Sequence, residues 1–127
     1  MTSALEHTNL TVADPDATAA WLQQVFGWTK RWSGPALNGG YAVHVGNETS
    51  YLALYRPATP LQPGEPRYSR QGGLNHLGIV VRDIDAAEAR VKAVGFTPHN
   101  HAAYEPGRRF YFDDDNGIEF EIVAYDD

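Results

Sequence analysis

The stretch Leu5-Glu6-His7-Thr8-Asn9-Leu10-Thr11-Val12-Ala13-Asp14 comes back later in the chain as Leu74-Asn75-His76-Leu77-Gly78-Ile79-Val80-Val81-Arg82-Asp83. The offset from His7 to His76 is 69 positions, and at that spacing Asp16, Ala17 and Ala20 also fall on Asp85, Ala86 and Ala89. Self-similarity of this kind marks a duplicated structural unit, and paired units can bring residues distant in sequence together. Each copy holds a histidine at the same place, which makes His7 and His76 a candidate pair.

Leu10 and Val12 alternate with His7, Asn9 and Thr11, the period of a strand with one face on a core. Asp14-Pro15-Asp16 then opens a helix in which Ala17, Ala20, Trp21, Val25 and Phe26 recur at helical spacing until Gly27 stops it. Short strands follow over 28–32, 40–45 and 50–56, split by turn signals at Ser33-Gly34-Pro35, Asn38-Gly39-Gly40 and Gly46-Asn47. The second copy reads the same way: a strand over 74–82, a helix over 83–94 ended by Gly95, and strands over 97–102, 108–112 and 118–125. Asn116-Gly117 supplies a tight hairpin turn before the last of these. Near Gly27 and Gly95 the offset falls to 68, which places Ala53 opposite Glu121 and His44 opposite Phe112.

The expectation is an α+β fold in a single domain over 1–127. It contains two β-α-β-β-β units, at 4–56 and 74–125, joined by a Pro- and Gly-rich linker over 57–73. At 127 residues and 43% hydrophobic the chain suits one core. It has no cysteine, so disulfides and thiolate metal sites are excluded and metal binding is left to His, Asp and Glu. A net charge of −6 without a basic stripe argues against a nucleic-acid partner. Residues 1–6 hold neither a basic nor an apolar leader region, and no apolar run reaches membrane-span length, so a soluble, cytoplasmic protein is expected.

In the last strand Glu119 and Glu121 alternate with Ile118, Phe120 and Ile122, so both carboxylates share the face away from the apolar side. His7, His76 and Glu121 then form a two-His-one-carboxylate set with open positions, suited to Fe(II), Mn(II), Zn(II) or Ni(II). Taken singly, a histidine on a strand is more often satisfied or at the surface, and a glutamate there is usually solvated. Their repeat-related placement is what points to a metal. Glu119 is the lesser choice, because its repeat equivalent is Tyr51.

Leu5-Glu6-His7 leading to Asp14, Leu74-Asn75-His76 leading to Asp83, and Phe110-Tyr111-Phe112-Asp113-Asp114-Asp115-Asn116-Gly117 leading to Glu121 resemble the vicinal oxygen chelate superfamily. That superfamily includes glyoxalase I, fosfomycin-resistance thiol transferases, bleomycin-resistance proteins and extradiol dioxygenases. The resemblance covers nearly the whole chain. It implies paired units forming a curved, cup-like mixed sheet with helices on the outer face, and ligands from each unit's first and last strands, the positions of His7, His76 and Glu121. The fourth ligand position, used by glyoxalase I, is Ala53 here. It further implies a small substrate with vicinal oxygens, Lewis-acid stabilisation of an oxyanion, and a homodimer in which each cup draws on both protomers.

Arg109, Tyr111 and Tyr104 are candidate substrate-binding residues, Arg109 as a clamp for an anionic group. By alternation Arg109 and Tyr111 share a face, opposite Arg108 and Phe110. A solvent-facing arginine paired with Asp113 or Asp114 is the plainer reading. Trp28, Trp32, Tyr41 and Tyr55 are either core or pocket wall, His44 is read as packing, and His99 and His101 as surface groups. Asp113-Asp114-Asp115 reads as solvated acids at a hairpin tip and not as a calcium loop, and Asp126-Asp127 as a frayed end. Two functions fit these residues: a divalent-metal-dependent lyase, transferase, isomerase or dioxygenase, or a metal-free protein that sequesters an aromatic or cationic small molecule.

Overall fold

Two short acidic side chains start the two helices. Asp14 accepts a hydrogen bond from the Ala17 N–H at 3.1 Å and caps α1 (Pro15–Phe26), while Asp83 accepts from the Ala86 N–H at 3.0 Å and caps α2 (Ile84–Ala93). A side-chain acceptor at this position satisfies one of the amide groups that a helix start leaves unpaired. Pro15, with φ already fixed and no N–H to lose, occupies the first turn of α1, and Gly27 ends that helix in the left-handed region at φ 70°. These features belong to a computed structural model that describes residues 1–64 and 67–126. Positions 65 and 66 of the expected linker, and the terminal Asp127, lie outside the described residues.

The strands are β1 (His7–Thr11), β2 (Thr29–Pro35), β3 (Tyr41–Gly46), β4 (Tyr51–Arg56), β5 (Leu77–Val80), β6 (His99–Tyr104), β7 (Gly107–Asp113) and β8 (Glu119–Tyr125). They build two four-stranded sheets, ordered β1-β4-β3-β2 and β5-β8-β7-β6. In each sheet the first and last strands run parallel and the remaining pairs antiparallel, giving two mixed sheets with one helix apiece. A parallel pair needs a long crossover, and here the helix and two intervening strands supply it. The chain divides into two compact units, with the boundary between Gln62 and Pro63.

The register repeats as well as the topology. Asn9 lies opposite Ala53 in the first sheet, and Gly78 opposite Glu121 in the second. Leu10 and Val12 are 6% and 1% exposed on the helix side, as the alternation predicts, while His7, Asn9 and Thr11 face away from it. The first core is aliphatic, built on Leu22, Val25, Val43, Val45 and Leu54. The second is aromatic: Phe112 stacks between Phe96 and Phe120, at centroid distances of 5.7 and 5.1 Å.

Beyond one-residue shifts, three strand limits and one repeat equivalence differ from the sequence reading. β2 continues through Ser33-Gly34-Pro35, where a turn is expected. It is an edge strand, and an edge tolerates proline because the missing N–H costs no ladder bond. The first strand of the second copy is only Leu77–Val80, so His76 sits just ahead of it. β6 begins at His99 and reaches Tyr104. Finally, the repeat counterpart of His44 is Tyr111 and not Phe112: His44 pairs with Ala53, and Tyr111 pairs with Glu121. The β7–β8 hairpin is one residue longer than the β3–β4 hairpin, which closes at Gly46 and Tyr51, so the offset of 67 between β3 and β7 (111 − 44) returns to 68 between β4 and β8 (121 − 53).

Candidate functional site

On each sheet the face opposite the helix gathers the chemistry. In the second unit Glu121 lies at the centre of that face. His76 Nε2 is 2.9 Å from Glu121 Oε1, and Arg109 Nη1 donates to Glu121 Oε2 at 2.7 Å. The carboxylate is mostly enclosed, with its side chain 13% exposed. The Tyr111 ring meets His76 edge-on at 5.7 Å, and the Arg109 guanidinium lies 4.7 Å from the Tyr104 ring centroid. Four residues singled out from sequence therefore sit around Glu121: His76, Arg109, Tyr111 and Tyr104. Arg109 pairs with Glu121, and not with Asp113 or Asp114; Arg108, on the other face, pairs with Asp85 at 3.1 Å.

Burial pushes the Tyr111 phenol above its usual range, and the Glu121 carboxylate adds to the shift. The shift favours the protonated phenol over a phenolate base. Burial works against the Arg109 charge, but the Glu121 hydrogen bond, with nearby Tyr104 and Tyr111, more than offsets it and holds the guanidinium above its usual value.

His7 belongs to the first unit, at the position equivalent to His76. It stacks on Tyr51 at 5.0 Å, Tyr51 stacks on His44 at 4.8 Å, and Trp32 packs against His44 at 5.0 Å. Arg31 lies over the Tyr51 ring at 4.3 Å. His44 is thus in a column of rings on the helix-free face, not in the hydrophobic core. Its desolvation, reinforced by His7 and Arg31 and only partly opposed by Glu6, lowers its pKa and favours the neutral ring. Of the other aromatics, the Tyr41 hydroxyl donates to Asp16, the Tyr55 hydroxyl to the Leu37 carbonyl, and Trp28 packs on Phe26 at 5.1 Å.

Both repeat histidines share a further feature. The residue before each one sets its ring: Glu6 Oε1 is 2.8 Å from His7 Nδ1, and Asn75 Oδ1 is 2.6 Å from His76 Nδ1. Without an ion, the His76 Nε2–H donates to Glu121 Oε1; an ion between them would take that proton's place, with the acceptor on Nδ1 orienting the ring. The 2.9 Å from His76 Nε2 to Glu121 Oε1 is close to the span of two donors about 2.1 Å from one ion and near a right angle to each other. The donor set, neutral imidazole nitrogen and carboxylate oxygen, fits a divalent transition metal.

A second cluster escaped sequence reasoning. Ligand atoms of His99, Asp113 and Glu119 lie within 4.8 Å of one another. Arg67 reaches into it, 3.2 Å from Asp113 and 3.9 Å from Glu119, and the Tyr68 hydroxyl donates to Glu119. Glu119, at 4% exposed, is the most enclosed acid of the group. A cavity of 610 Å³ lies beside it, lined by Arg67, Tyr68, Leu74, Asn75, Ile118 and Glu119 among others. Arg67 and Tyr68 come from the stretch read as a linker, whose lack of periodicity gave no sign that it would dock on a sheet. Asp114 also departs from the solvated-acid reading. It is 7% exposed and accepts from the Asn116 N–H, the Asn116 amide and the Ile118 N–H. Its pKa is raised because burial outweighs those hydrogen bonds.

The family model for the Glyoxalase/Bleomycin resistance protein/Dioxygenase superfamily matches residues 4–122, and the chain belongs to that superfamily. Its fold is similar to that of a glyoxylase/bleomycin resistance protein/dioxygenase domain from Frankia sp. EAN1pec, with TM-score 0.80 and 21% identity over 98% of this chain and 99% of that one. It is also similar to the fosfomycin resistance protein FosX from Listeria monocytogenes, with TM-score 0.74 and 21% identity over 98% and 95% of the two chains. A complex of that FosX with Mn(II) and sulfate aligns with TM-score 0.72 and 22% identity, covering 98% of this chain and 93% of that one. No curated protein has a matching sequence. Among the described residues no helix is long and apolar enough to cross a membrane.

Proposed function

We propose that this chain is a divalent-metal-dependent enzyme of glyoxalase/dioxygenase type, acting on a small substrate with vicinal oxygens, with His7, His76 and Glu121 as metal ligands. One observation carries the reading. His76 Nε2 and Glu121 Oε1 approach to 2.9 Å, a separation that one ion could bridge in place of the shared proton, and both repeat histidines have Nδ1 against the preceding side chain, which orients Nε2 for a ligand. The Mn(II) complex of Listeria monocytogenes FosX, a protein of the same fold, supports a metal of this kind. When bound, the ion supplies Lewis-acid stabilisation of negative charge developing on a substrate oxygen.

The chain's own groups do the rest. Asn75 and Glu6 orient the two rings, Tyr111 offers a protonated hydroxyl beside Glu121, and Arg109 and Tyr104 bound the site on its other flank as substrate contacts. Ala53 stands where the first unit would supply a carboxylate, so the ligand set is three residues with open positions. A homodimer is part of the proposal, each site drawing on both protomers.

A second reading is favoured by the column His44-Tyr51-His7, three stacked rings with Trp32 tilted against His44 at its end, suited to holding an aromatic or cationic molecule without a metal. Metal content of untagged protein decides between the two. Near-stoichiometric transition metal, lost in His76→Ala and Glu121→Ala, is the expected result; less than about a tenth of an equivalent, unchanged in both variants, would leave the sequestering function standing.

A further inference from the structure

Glu121 is shared. One oxygen faces His76 Nε2 and the other is held by Arg109 Nη1 at 2.7 Å, in a pair whose side chains are only 13% and 18% exposed. The Tyr104 ring lies over the guanidinium, and Arg109 Nε is buried with no hydrogen-bond partner of its own. The head of Arg109 therefore has one carboxylate to serve and an aromatic lid that restrains it. At the repeat-equivalent position the first sheet has Ala42, just as it has Ala53 in place of Glu121, so the arginine and the glutamate occur together in one unit and are both absent from the other.

The geometry points to Arg109 as a positioning residue that limits Glu121 to one-oxygen ligation through Oε1 and weakens the site's hold on its metal. This inference rests on the metal-site reading above. Three physical effects act in the same direction. Arg109 occupies the oxygen that a bidentate carboxylate would need, it withdraws charge from the ligand, and it places a positive charge near the cation in a partly enclosed site where screening is incomplete. The usual partner of a metal ligand strengthens binding by making the ligand more basic. A cation in that place does the reverse, and its removal should tighten binding, whereas removal of a merely structural arginine should loosen it.

The test is Mn(II) binding to the full-length chain, followed by loss of the free-ion electron paramagnetic resonance signal, with thermal unfolding in chelator recorded alongside. Arg109→Ala is expected to bind Mn(II) about tenfold more tightly than the native chain, as removal of one nearby positive charge implies. Arg109→Gln, which keeps a donor for Oε2 but not the charge, should also tighten binding, and Arg109→Lys should return it toward the native value. Should Arg109→Ala unfold, the Gln and Lys pair carries the test unaided. Unchanged or weaker binding in both neutral variants would overturn the inference. If Glu121→Ala itself leaves Mn(II) affinity untouched, the metal-site reading fails first, and the two failures are told apart.

Discussion

The helix-free faces of the two sheets have the same register and differ in charge. His7, Tyr51, Ala53, His44, Trp32 and Ala42 in the first stand where His76, Glu119, Glu121, Tyr111, His99 and Arg109 stand in the second. The first face is a column of rings. The second is a row of acids, each held against a cation: Glu121 against Arg109, and Asp113 and Glu119 against Arg67. Enclosed carboxylates are costly unless paired, so the second unit recruits one arginine from β7 and another from the stretch that joins the repeats. Identical backbone pairing thus accommodates the same run of rings with or without acids: His76, Tyr111 and His99 repeat the ring positions of His7, His44 and Trp32, while Glu119 and Glu121 replace Tyr51 and Ala53.

That comparison can be broken most sharply in the cores. Phe112 and Val45 are repeat equivalents, both fully buried. Phe112→Ala is expected to cost about 3–5 kcal/mol and Val45→Ala about 2 kcal/mol in urea unfolding, because more area and contact are lost from the aromatic stack. A reversed order would mean the second core collapses around the void. Next in size is Ala53→Glu, which places a carboxylate at the equivalent of Glu121 where the first sheet has Ala42 in place of Arg109 and the site is 3% exposed. A loss of about 2–3 kcal/mol is expected, seen as a lower melting temperature.

The hairpin tips give a finer comparison. Asn47 and Asp114 are equivalent, and each gathers three hydrogen bonds at its turn. Asp114 is buried and Asn47 is not, so Asp114→Ala should cost about 2 kcal/mol against about 1 kcal/mol or less for Asn47→Ala. The smallest effect belongs to Arg67→Ala. Asp113 is part-exposed, while Glu119 is 4% exposed and keeps the Tyr68 hydroxyl as a donor, so a loss of about 1 kcal/mol, only partly reduced by salt, is expected. A larger, salt-independent loss would mean that the docked stretch contributes to the second core.

Much of this was legible in the chain. Alternation around His7 and helical spacing after Asp14 depend on neighbours a few residues away, and the structure follows them closely. The duplicated stretch located both histidines, and alternation in β8 put Glu119 and Glu121 on one face. The partner of His44 was misplaced because it depended on hairpin length, which turn residues do not state. Pro35 was read as part of a turn because edge position is a property of the sheet. Arg67 and Tyr68 carry no local pattern and are placed only by the acids they meet.

By itself, then, the order of residues determined the repeat, the element types, the apolar face of each strand and the identity of the polar groups opposite it, since all of these follow from periodicities of two and 3.6 residues. Which acid meets which cation was left to tertiary structure. Arg109 reaches Glu121, and not its chain neighbours Asp113 and Asp114, because β7 and β8 pair in a register that sets Tyr111 across from Glu121 and turns Arg109 to the same face. Such a pairing is the product of strands closing at long range, where hydrogen-bond register and not sequence distance brings the side chains together.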